Sequence, residues 1–97
     1  MMVQRISRED EANIPVFNSH IEAIDYFRSQ YGDAFTVETE SAADGETIYY
    51  CSLILDKTAW EKGKQHMQKH GYISGIDFLK SFQSIQISAT GAVHIDH

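Results

Sequence analysis

The sequence predicts a two-layer α+β domain: an antiparallel sheet of about four strands, built as two hairpins, with two main helices and a short third packed on one face. Three observations carry that prediction. Strand-like segments stand side by side: residues 35–40 alternate with period two beside the apolar run 47–55, and residues 84–88 and 93–96 alternate again. Two segments of helical period begin at the capping residues Ser19 and Asp56 and stop at Gly32 and Gly71. Strands follow strands, without regular strand–helix alternation, which favours antiparallel pairing.

The opening residues are dense in charge and show no sustained period. Residues 1–14 are therefore expected to form a flexible or partly ordered arm, with at most a short strand at Val3–Ile6. Pro15 blocks any helix running through Asn13 and Ile14. The remaining residues, 15–97, form a single domain.

The first main helix starts at Ser19, whose pairing with Glu22 three residues later has the form of a capping box. Ile21, Ile24, Phe27 and Tyr31 recur at helical spacing as its apolar face, with Glu22, Asp25 and Ser29 opposite. Residues 35–40 then alternate as a half-buried strand. Residues 47–55 are apolar on both sides, as an interior strand would be. Between them Ser41-Ala42-Ala43-Asp44-Gly45 has the composition of a hairpin turn.

Asp56 is a good N-cap for the second main helix, which should end near His70. Ala59, Trp60, Gly63, Met67 and His70 fall on one side, with Lys57, Glu61, Lys64, Gln65 and Gln68 opposite. Gly63, inside that stripe, costs about 1 kcal/mol relative to alanine unless a close approach compensates. A short helix through Ile76, Phe78 and Leu79, beginning at Ser74 or Gly75, leads to the second hairpin. There Ile85, Ile87, Val93 and Ile95 share a face.

Composition bounds the function. The chain has 97 residues, 42% hydrophobic and 23% charged, which is too apolar for disorder. No apolar stretch is long enough to span a membrane, and the first residues lack a signal peptide's apolar run, so a cytoplasmic protein is expected. The net charge of −6 disfavours nucleic acid and anionic lipid as partners. That charge is uneven. Residues 1–55 hold ten acidic and three basic groups, whereas residues 56–80 hold five lysines against three acids. Cys51 is the only cysteine, so no disulfide forms within the chain, and its apolar neighbours predict burial.

No motif identifies a catalytic centre. The histidines come nearest to a chemical signal. His66 and His70, four apart on a helix, project together, and His94 is the third candidate ligand for a metal such as zinc. Met67 stands where a zinc protease would carry its glutamate, so that motif is absent. Lysines gather on the same helix without arginine, and the tyrosines have no basic neighbours, so a base-stacking surface is not indicated. The expectation is thus a small acidic interaction or regulatory module without catalysis and without a required cofactor. Its partner would be another protein or a second copy, met through a sheet edge or the Trp60–Gly63–Met67 face. The alternative is a metal- or small-ligand-binding protein using His66 and His70.

Overall fold

A computed structural model describes residues 3–71 and 76–97, with the side chains of residues 43, 76 and 77 left outside the description. The elements are α1 (Arg8–Ala12), α2 (His20–Tyr31), a 3₁₀ turn (Gly32–Ala34), β1 (Phe35–Ala43), β2 (Glu46–Ile54), α3 (Lys57–His70), α4 (Ile76–Leu79), β3 (Phe82–Ser88) and β4 (Val93–Ile95). The strands form one antiparallel sheet in the order β1-β2-β3-β4. This is the α+β architecture predicted, with its two hairpins joined into a meander. The predicted start of the short helix, at Ser74 or Gly75, lies outside the described residues.

Cross-strand rows define the core. Phe35 faces Leu53, Val37 faces Cys51, Cys51 faces Ile85, and Ile85 faces Ile95. Alternation places these side chains on one side of the sheet. α2 covers that side with Ala23 and Phe27, which stacks on Phe35 at 5.2 Å between ring centroids. Phe27 is fully buried, which contributes about 1.5–3 kcal/mol. Ala23 is likewise fully buried in the core. The buried stripe therefore runs through Ala23 and Phe27, and Ile21 is turned outward at 61% exposure, against its predicted place on the apolar face.

Capping chemistry sets the helix ends. Ser19 Oγ accepts the Glu22 N–H at 3.3 Å, but the Glu22 carboxylate reaches past Ser19 to accept the Asn18 N–H at 3.0 Å. Asp56 accepts the Ala59 N–H at 3.2 Å to start α3, and Gly71, in the left-handed conformation at φ 78°, ends it. The Ser81 carbonyl accepts both the Leu55 N–H (2.7 Å) and the Asp56 N–H (3.0 Å), fastening the start of α3 to the approach to β3. Phe78 of α4 lies over Gly63 of α3 and meets Phe82 at 5.3 Å. Phe82 alternates to the side of the sheet opposite Gln83 and Ile85.

The hairpin turn between β1 and β2 is tighter than the sequence composition suggests. β1 runs on to Ala43, and only Asp44 (φ 53°) and Gly45 (φ 78°) make the turn. Two consecutive positive φ values match the turn whose twist suits a two-residue hairpin. The register shifts between Val37 and Thr39, a bulge that leaves Glu38 without a cross-strand partner.

The described residues of the arm are tied to the sheet from Val3 onward. Ile6 is buried in the core, the Val3 N–H donates to the Leu55 carbonyl at 3.0 Å, and Ser7 with Asp10 forms the capping box of α1.

Candidate functional site

The predicted interaction face lies on α3, but its members have different environments. Gly63 is buried beneath Phe78: a Cβ at this position would collide with the phenylalanine ring. The close approach that glycine permits is made within the chain. Trp60 is half-buried, with the Lys64 ammonium 4.9 Å from the centre of its ring, and Met67 is exposed.

The three candidate ligands His66, His70 and His94 lie on two different elements, α3 and β4. His66 and His70 stand one turn apart with ring centroids 4.5 Å from each other, as the spacing predicts. His94 is on β4, where it pairs with Asp96 at 3.2 Å, and His97 pairs with Glu11 at 2.7 Å. Among the described residues no group of three or more His, Cys, Asp or Glu side chains is arranged to hold a metal ion. The structure thus brings His66 and His70 together without assembling His94 beside them.

The feature with the clearest capacity to engage another molecule is β1. It is nine residues long, stands at the edge of the sheet, and among the described residues pairs only with β2. Along such an edge, alternate residues turn their N–H and C=O groups outward, unpaired. Residues 33–46 carry Asp33, Glu38, Glu40, Asp44 and Glu46 and no basic residue. Lys64 of α3 reaches Glu38 at 3.5 Å, so Trp60, Lys64 and Glu38 form a line from the helix to the strand edge. Glu40 is exposed and makes no ion pair among the described residues. The opposite edge is different: β4 has three residues, and the Glu11–His97 pair sits beside it.

The side chains suited to covalent chemistry point elsewhere. Burial pushes the Cys51 thiol up to about 11, so it stays protonated at neutral pH. His20 stacks on Tyr49 at 4.3 Å, and its Nδ1 is buried without a hydrogen-bond partner among the described residues.

Sequence reasoning placed Glu38 and Glu40 only on the polar half of a strand. Their importance comes from strand order, which alternation does not encode. Residues 33–46 hold five acids and no base, and that imbalance was the available signal. No protein-family model matches the chain, and neither the curated proteins nor the solved structures yield a match, so the functional reading rests on this geometry.

Proposed function

We propose that the protein is a non-catalytic interaction module that takes an extended, lysine- or arginine-bearing segment of a partner as an additional strand along β1. The observation that carries this reading is a nine-residue edge, unpaired among the described residues, that carries Glu38 and Glu40 and no basic residue. Main-chain hydrogen bonds to the edge would supply affinity, and Glu38 and Glu40, the two acids of β1, would select basic side chains. Charge also decides between a foreign strand and a second copy. In an antiparallel pair of two β1 strands, a two-fold axis at Glu38, Thr39 or Glu40 sets carboxylates directly opposite each other, which destabilises the pair.

Titration of isotope-labelled protein with an eight-residue peptide of alternating lysine and valine tests the proposal. Saturable shifts along residues 35–43 are expected, weakening with added salt. Exchanging Glu38 and Glu40 for lysine should weaken binding by about tenfold or more, equivalent to about 1.4 kcal/mol. No response along β1, or equal binding by the charge-reversed protein, would reject the reading. A concentration-dependent dimer that the same exchange strengthens would point to a second copy instead.

The metal reading rests on the 4.5 Å separation of the His66 and His70 rings. Two imidazoles leave two of zinc's usual four positions to be filled from elsewhere, and the β1 edge has the stronger support.

A further inference from the structure

A second site, independent of β1, lies where the first residues of the chain cross α2. A cavity of about 340 Å³ opens there. Its floor is apolar, made by Ile6, Ile14 and Phe27. Its walls are polar in a balanced way. Arg5 supplies a cation and Asp10 an anion, Asn13 and Gln30 supply amides, and Tyr26 and Tyr31 supply phenols.

Several of these groups have capacity to spare. Asp10 uses Oδ2 to accept the Ser7 N–H, leaving Oδ1, and Asn13 donates from Nδ2 to the Glu9 carbonyl, leaving its own oxygen. Arg5, Gln30 and both phenol oxygens make no hydrogen bond to the described residues. Burial raises the Tyr31 phenol above its ordinary range, with Tyr26 and Asp10 adding to the effect, so it remains a donor at neutral pH.

The inventory selects a ligand class. An anion would meet Asp10 and a cation would meet Arg5. An apolar ligand would strip water from donors and acceptors without replacing their hydrogen bonds. A neutral polyol suits the walls, because each hydroxyl both donates and accepts and the amides do the same. Its C–H surface would rest on the apolar floor. The volume is at the small end of ligand sites, which limits the ligand to about one sugar ring. We propose that the cleft between the N-terminal arm and α2 binds a neutral polyhydroxylated ligand of monosaccharide size.

The test is a titration of the isotope-labelled full chain with glucose, galactose, mannose, ribose and myo-inositol at up to tens of millimolar, with glycine and inorganic phosphate as counter-probes. At least one sugar or polyol should give saturable shifts confined to residues 4–14 and 26–31. Gln30→Ala, on an exposed helix position, should raise the Kd about tenfold. Thr90→Ala, beside a separate cleft, should leave it unchanged. Circular dichroism would verify that both variants fold as the parent does. The proposal is overturned if no neutral polyol gives saturable shifts, if the Gln30→Ala protein binds as well as the parent, or if glycine or phosphate saturates the cleft in their place.

Discussion

The side chain of Gln83 pairs with the backbone of Ile6 in both directions. The Ile6 N–H donates to Oε1 at 2.8 Å, and Nε2 donates back to the Ile6 carbonyl at 2.9 Å. The same amide nitrogen also donates to the Asp96 carbonyl at 3.0 Å. Gln83 is 1% exposed, in a row of the sheet where its neighbours are Leu53 and Ile85. It acts as a short stand-in for a strand, holding the arm against β3.

Replacing Gln83 with leucine keeps much of the volume and removes all three hydrogen bonds. The buried N–H and C=O of Ile6 then lose their partners, so a loss of about 2–4 kcal/mol is expected. Urea unfolding measures it. Limited proteolysis should show earlier cleavage within residues 4–14.

Gly63→Ala would ordinarily help a helix by about 1 kcal/mol. Here the new methyl collides with the Phe78 ring, and overpacking of this kind costs about 1–3 kcal/mol. The substitution should therefore destabilise the wild-type background. In a Phe78→Ala background the obstacle is gone, and the same change should become stabilising. A double-mutant cycle by chemical denaturation reads the change of sign.

The turn at Asp44-Gly45 gives a third expectation. Gly45 has φ 78°, so Gly45→Ala should cost about 1–2 kcal/mol through left-handed backbone strain. Asp44→Asn keeps a residue that tolerates positive φ and should leave the melting temperature nearly unchanged. A loss of stability in Asp44→Asn as large as that in Gly45→Ala would contradict the turn geometry.

Acid should loosen the arm. The hydrogen bond from His97 holds the Glu11 carboxyl below its usual value, assisted by the charge of the imidazole and by the Ile95 N–H. A depressed carboxylate stabilises the fold above its unfolded pKa, and that contribution is lost as pH falls through the folded value. Glu11→Gln should consequently show a shallower decline in melting temperature between about pH 6 and pH 3 than the parent. Parallel curves would show that the pair contributes nothing on the acid side.

Local chemistry was readable from the residues and long-range geometry was not. Ser19, Asp56 and Gly71 marked helix ends because a cap is made by residues a few positions apart. The hairpins followed from alternation across a short turn. α1 escaped because its five residues bury none of their side chains and so leave no apolar period, although Ser7 and Asp10 carry the capping pair. Ile21 has the spacing of a core residue, but the buried face runs through Ala23 and Phe27 and leaves it exposed. The partner of Gly63 lies fifteen positions away at Phe78, and the position of β1 at an edge depends on pairings made by other strands. The metal expectation reached as far as the helical pair, since one turn of helix sets the separation of His66 and His70. No sequence spacing could say where the strand bearing His94 would lie.

The amide clasp spans 77 positions, with a consequence for biosynthesis. A growing polypeptide leaves Ile6 unseated until β3 has been made, because the amide that holds it is translated 77 positions later. Early unfolding at that seam would return the chain to a half-synthesised surface, greasy at residue 6 and open at the bottom of the arm cleft.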